Sequence, residues 1–218
     1  MQKATEKPPA RRGRRKDPEK RAAILHAAKR LFAHQGYTAT SMDSIAQEAG
    51  VSKLTLYSHF RAKDELFQQA VIETCEEHAP PEFFDVRSTR PLRERLLQIG
   101  HGFLDLVMND EVINVYRMMA AQARDGGKLG RLFYAAGPQR TLDQFSNLLK
   151  AAHRAGDLQV SDPLRAAAHF FCLLKGVYHL QLMMACAPRP GRAEIRAHVT
   201  DVVDVFLRAY RPGAAARS

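Results

Sequence analysis

Within residues 50–63, GVSKLTLYSHFRAK, the side chains of Ser52, Lys53, Thr55, Tyr57, Ser58, His59 and Lys63 fall inside about three turns of a helix. Their shared chemistry is hydrogen bonding to a surface rich in acceptors. A lysine such as Lys53 reaches guanine acceptors or a phosphate, and the methyl of Thr55 can touch a thymine methyl. The hydroxyls of Ser52 and Tyr57, the ammonium of Lys63 and the amides of a helix N-terminus all suit phosphate oxygens. Such a set works only if it shares one exposed face.

The flanking sequence supplies that face. Asp17-Pro18 reads as an N-cap with proline at the first helical position, and Ala22, Leu25, Ala28, Leu31 and Phe32 then recur at helical spacing up to Gly36. Ser41 caps a short helix carrying Ile45, Ala46 and Ala49. Gly50 stops it where a helix C-terminus needs a left-handed residue. Ser52 caps a third helix that ends near Phe60, with Leu56 and Phe60 inward. This places Lys53, Thr55, Ser58 and His59 on or beside the exposed side. The pattern is a helix-turn-helix, whose second helix lies in the DNA major groove.

Charge is distributed in the same sense. Residues 1–63 hold 14 Lys and Arg against 5 Asp and Glu, a net +9 of the +10 carried by all 218 residues. A charge gathered at one end points to a local polyanion contact. Residues 1–16 read as a disordered basic arm whose Arg14 and Arg15 can meet DNA. Cys75, Cys172 and Cys186 lack metal-ligand spacing and read as reduced thiols. No signal-peptide pattern and no run of ~18–20 apolar residues occurs, so a soluble, cytoplasmic chain is expected. Hydrolase, metalloprotease and phosphate-loop signatures are missing, and an enzyme or a cofactor is not expected. His169 and Cys172, three apart, form too small a set for a metal site.

Beyond residue 63 the periodicity stays helical, with helices expected over 63–78, 91–108, 110–124, 128–155, 162–186 and 192–210. Period-2 alternation is missing throughout, so the fold class is all-α. The organisation expected is an arm at 1–16, a helix-turn-helix domain at 17–62 and a helical sensing and dimerisation bundle at 63–212. Phe103, Val107, Tyr116, Met119, Phe133, Phe145, Phe170, Leu174 and Tyr178 are candidates to line a pocket between the bundle helices. Arg117 and His101, in otherwise apolar stretches, could meet an anionic group. Ile195, Val199, Val202 and Phe206 form an apolar stripe on the last helix. With Phe171 and Leu182 on the nearly all-apolar helix before it, they are expected at a four-helix dimer interface.

Residues 21–67, RAAILHAAKRLFAHQGYTATSMDSIAQEAGVSKLTLYSHFRAKDELF, resemble the DNA-binding domain of TetR-type transcriptional regulators in the order and spacing of LFAHQGY, IAQEAGVS, TLYSHF and KDELF. The resemblance implies a homodimeric repressor that binds a palindromic operator and releases it on binding a small molecule. It also implies DNA contacts at Ser41, Lys53, Thr55, Tyr57, His59 and Lys63. Leu54 stands where the family often has a small residue, and there it can add an apolar base contact or shift the docking. The segment from Tyr116 to Phe171 is similar to an AefR-like subgroup. An apolar or amphipathic effector is expected. The competing reading is a DNA-binding protein without small-molecule sensing, either architectural or constitutively repressing. A charge confined to the first 63 residues, followed by a nearly neutral apolar bundle, argues against it.

Overall fold

Asp17 accepts a hydrogen bond from the Glu19 amide at 3.1 Å, and α1 (Pro18–Ala39) starts where the cap and proline place it. The computed structural model describes residues 17–121 and 127–212. Helix α1 does not stop at Gly36. It bends there, with φ 81°, and runs on to Ala39; the position suits glycine, since φ is positive and a Cβ would lie 3.0 Å from Met118 Sδ. Next, α2 (Met42–Glu48) opens with a capping box between Ser41 and Ser44. The left-handed Gly50, φ 63°, turns the chain into α3 (Lys53–His59), capped by Ser52. The long helix α4 (Lys63–His78) follows.

A short 3₁₀ turn, Pro81–Phe84, leads to α5 (Leu92–Val107) and α6 (Asp110–Ala121). The helix expected over 128–155 is two, α7 (Lys128–Ala136) and α8 (Pro138–Arg154). Pro138 lacks an amide hydrogen to continue α7 and instead serves as the first residue of α8. Then come α9 (Pro163–Met183) and α10 (Arg192–Ala209). The described residues contain ten α-helices and no strand.

Two apolar clusters hold the chain. The first joins α1 to α4 through Phe32, Ile45, Leu56, Phe60 and Phe67, and draws in Met119 of α6 and Leu132 and Phe133 of α7. A division after residue 62 cuts across this cluster, because α4 supplies Leu66, Phe67, Ala70 and Val71 to it. The second cluster joins α5, α8, α9 and α10 around Phe145, Phe170, Phe171 and Phe206. Phe145 packs on Phe170 with centroids 4.8 Å apart, and Phe170 on Phe206 at 5.1 Å.

That second cluster corrects several expectations. Phe145, Phe170 and Leu174 are solid core, not pocket wall. Val199, Val202 and Phe206 are buried within their own protomer, and Leu182 and Ile195 pack partly buried against the same core. Val199, Val202 and Phe206 therefore close the monomer, while Leu182 and Ile195 keep part of their surface exposed. Helix α9 kinks at Gly176, φ 48°, and His198 Nε2 of α10 sits 2.9 Å from the Leu174 carbonyl beside the kink.

Two glycines test the packing against each other. A Cβ on Gly102 in α5 would collide with the His78 carbonyl at the end of α4, whereas one on Gly130 in α7 meets nothing within 4 Å. Gly102→Ala should therefore destabilise by about 1–3 kcal/mol through forced backbone movement. Gly130→Ala should stabilise by up to about 1 kcal/mol through helix propensity. Denaturant melts of both variants check this; equal effects would mean α4 and α5 do not meet this closely.

Candidate nucleic-acid interface and the cavity behind it

On α3, Leu54 is 82% exposed and Tyr57 and Ser58 are also exposed, so the outward face contains the residues whose spacing suggested it. Its hydroxyls are partly committed. Ser52 Oγ accepts the Thr55 amide at 3.1 Å and lies 2.9 Å from Thr55 Oγ1. Ser58 Oγ donates to the Thr55 carbonyl at 2.7 Å. Ser41 likewise accepts the Ser44 amide, so its first duty is to start α2. Lys53 Nζ reaches back to Asp43 of α2 at 2.6 Å. This fully exposed pair contributes little and exchanges readily for a phosphate or a guanine edge.

Two expected contacts are placed differently. His59 is buried at the end of α3 beside Phe60, because its position follows Leu56 and Phe60 inward and not the exposed strip. Lys63 turns inward as well. Its Nζ donates to the carbonyls of Tyr37 and Thr40, both at 2.9 Å, and lies 4.2 Å from the Tyr37 ring centroid. Burial pushes the Lys63 pKa below its ordinary value, with Asp64 acting the other way. Tyr37 in turn donates its hydroxyl proton to Asp64, which pairs with Lys128 of α7 at 2.6 Å. The hydrogen bond from Lys128, then that from Tyr37, holds the Asp64 carboxyl below the usual range. One knot thus ties the end of α1, the start of α4 and the start of α7. Arg14 and Arg15 lie outside the described residues. Sequence reasoning missed Arg61, exposed just past α3, whose amide donates to Glu65 Oε2.

Behind this head lies a cavity of about 240 Å³ walled by α1, α4, α5, α6, α7, α8 and α9. Phe103, Val107, Tyr116 and Phe133 line it as expected; Met119, Phe145, Phe170, Leu174 and Tyr178 do not. Met119 packs against the head's cluster, and Tyr178 donates to Glu194 across the α9–α10 contact at 3.0 Å. Phe171, expected at the dimer surface, faces the cavity instead. The head contributes wall directly, through Lys29, Phe32 and Ala33 of α1 and through Phe67 and Ala70 of α4.

Few polar groups face this space. Lys29 is neutralised by Glu73 at 2.9 Å and Glu77 at 2.6 Å. Burial pushes the Cys75 thiol up to about 11 and the Tyr116 phenol up to about 12, so both are neutral at pH 7. Lys175 lies over the Tyr116 ring, 5.5 Å from its centroid. Sequence reasoning missed it, although a single lysine in AAAHFFCLLKGVYHLQLMM was the available signal. Arg117 is turned away to the carbonyls of Leu182 and Met183, at 2.7 and 3.1 Å, where it caps α9. No group of three or more His, Cys, Asp or Glu among the described residues is placed to hold a metal.

A separate apolar strip lies on the outside. Val177 and Leu180 of α9 and Met184 at its C-cap are 64%, 63% and 70% exposed, and Leu173 of α9 and Val205 of α10 are exposed as well. No helix among the described residues is long and apolar enough to cross a membrane.

Residues 24–70 match the family of bacterial regulatory proteins called tetR. Residues 94–212, more than half of the chain, match the C-terminal domain of AefR-like transcriptional repressors. The HTH-type transcriptional activator FasR of Mycolicibacterium smegmatis is 38% identical over 109 residues, covering 48% of this chain and 50% of FasR, so the match spans half of that relative's length. A TetR-family regulator structure from Mesorhizobium loti superposes with TM-score 0.74 and 29% identity, over 91% of this chain and 99% of that one. The flavonoid-responsive regulator FrrA superposes with TM-score 0.70 and 31% identity, over 91% and 100%.

The geometry separates positioning from contact. Lys63→Met leaves the Tyr37 and Thr40 carbonyls without their donor and should cost on the order of 2 kcal/mol of stability. The salt dependence of DNA binding should not change, because Nζ is engaged by the Tyr37 and Thr40 carbonyls. Asp43→Asn, by contrast, frees Lys53 and removes a carboxylate from the DNA-facing side. Affinity should rise severalfold at low salt, with the gain shrinking as salt increases. Fluorescence anisotropy across a salt series, with parallel melts, reads all three quantities. A shallower salt slope in Lys63→Met would return Lys63 to the phosphate backbone.

Proposed function

Because the chain belongs to the TetR family of bacterial transcriptional regulators and so regulates transcription by binding DNA, we propose that it is a repressor. It binds a palindromic operator as a homodimer and leaves it when a small effector fills the cavity. The observation that carries the reading is the shared wall: Phe32 of α1 and Phe67 of α4 belong to the DNA head's core and also face the cavity. Filling that space presses on the helices that hold α2 and α3. The description of FrrA as flavonoid-responsive supports small-molecule sensing in a chain of this shape. Acting on DNA, the protein works in the cytoplasm.

The partner in the dimer is a second copy, docked through the outer strip of α9 and α10. Val177, Leu180 and Met184 are large, apolar and uncovered, and a contiguous patch of this kind marks an interaction site. Two copies related by a two-fold axis then present two α3 helices to half-sites about one DNA turn apart, roughly 34–36 Å. Release requires an effector that binds a conformation with another spacing more tightly than the DNA-bound one, since equal affinity shifts nothing.

Selection of the full chain against random-sequence DNA tests the proposal. The expected product is an inverted repeat, and Thr55→Ala or Lys53→Ala should change the bases preferred within each half-site. Val177→Asp with Leu180→Asp should yield monomers in light scattering and lower operator affinity by at least about a hundredfold. Enrichment of an unsymmetrical site, or a dimer that survives both aspartates, contradicts the reading.

A further inference from the structure

The cavity wall is chemically uneven. Most of it is apolar, contributed by Phe103, Val112, Phe133 and Phe171 among others. Of its charged groups, Lys29 is matched by Glu73 and Glu77, and Glu111 stands exposed at the rim. Lys175 differs from both. It is half-buried, faces the cavity on the same side of α9 as Ala168, Phe171 and Cys172, and has the Tyr116 ring beneath it. No carboxylate among the described residues pairs with it, and its pKa is pushed below the ordinary lysine value by burial, with the Cys172 thiol acting weakly the other way. A desolvated ammonium without a carboxylate is costly to fold around, so a ligand that brings the missing charge gains what the empty protein lacks.

We propose that the cavity takes a compact, mostly apolar organic monoanion, a carboxylic acid or an acidic phenol, whose charge pairs with Lys175 Nζ. This rests on the sensor reading of the same cavity and narrows it to a ligand class. One unmatched cation favours a single negative charge. Glu111 at the rim and the pair of glutamates around Lys29 disfavour a second. A cavity volume of about 240 Å³ lies toward the small end of small-molecule sites and suits a compact ligand.

Calorimetric titration of the full chain without DNA, using matched acids and alcohols, tests this. Suitable pairs are 4-phenylbutyric acid with 4-phenylbutan-1-ol, 1-naphthoic acid with 1-naphthalenemethanol, and octanoic acid with octan-1-ol. At least one acid should bind about tenfold or more tightly than its alcohol, the range of a charge-assisted contact. Lys175→Met should bring that ratio to within about twofold, and Lys175→Arg should retain most of it. The Lys175→Met protein should melt no lower than the wild type, because it loses a desolvated charge and no ion pair. Equal binding of acid and alcohol in every pair, no binding by any acid, a preference that survives Lys175→Met, or a clearly lower melting temperature would each overturn the proposal. Alcohols that bind as well as their acids would refute the charge preference while leaving the cavity a binding site, so the two readings fail separately.

Discussion

An ammonium group set between two carbonyls governs how the DNA head meets the bundle. Lys63 Nζ holds the Tyr37 and Thr40 carbonyls beyond the bend at Gly36, and the Tyr37 hydroxyl passes the connection to Asp64 and on to Lys128. Without that knot, the exit of α1 beyond Gly36 would keep only its contacts to Met118 and the Thr40 bonds to the Gly36 carbonyl. The loop into α2, and with it the pose of α3, would lose its anchor. The same bend is pinned from the bundle side, where the Tyr37 amide donates to Met118 Sδ of α6 at 3.0 Å.

The aromatic side of Tyr37 continues into the cavity wall. Its ring stacks on Phe32 at 5.7 Å and meets Phe67 edge-on at 5.3 Å, and Phe32 and Phe67 both face the empty space. Three rings therefore separate a bound molecule from the lysine that sets the angle of the head. Close-packed rings transmit a shift rather than absorb it. On the proposed function, a ligand need not deform the whole bundle to reach α3, because α1 and α4 supply wall to the cavity and core to the head.

The local signals were legible and the long-range ones were not. The caps at Asp17, Ser41 and Ser52 and the left-handed Gly50 act within a few residues, and the structure uses all four. Gly137-Pro138 is itself a helix-breaking dipeptide, so the start of α8 was legible there and was passed over in a helix read as continuous over 128–155. Rings at helical spacing report that a face is buried, not whether it meets packed neighbours or a void. Phe103 and Phe133 therefore line the cavity while Phe145 and Phe170, of the same type and spacing, do not. In the same way the stripe through Val199 and Phe206 marked α10's inner face, whereas the uncovered strip at Val177 and Leu180 lay on a helix apolar nearly all round. The direction of the Lys63 side chain depends on carbonyls more than twenty residues earlier, and no spacing rule reaches that far.

Ala168→Phe tests, without an effector, whether occupancy of the cavity alters the pose of the DNA head. Ala168 lies on the α9 wall, away from α3, and a phenyl ring there enters the space a ligand would fill. The account predicts a dimer that melts no lower than the wild type yet binds its selected operator at least about tenfold more weakly, within the usual range of coupling between sites. Operator affinity equal to that of the wild type, in a protein whose cavity is filled, would contradict it.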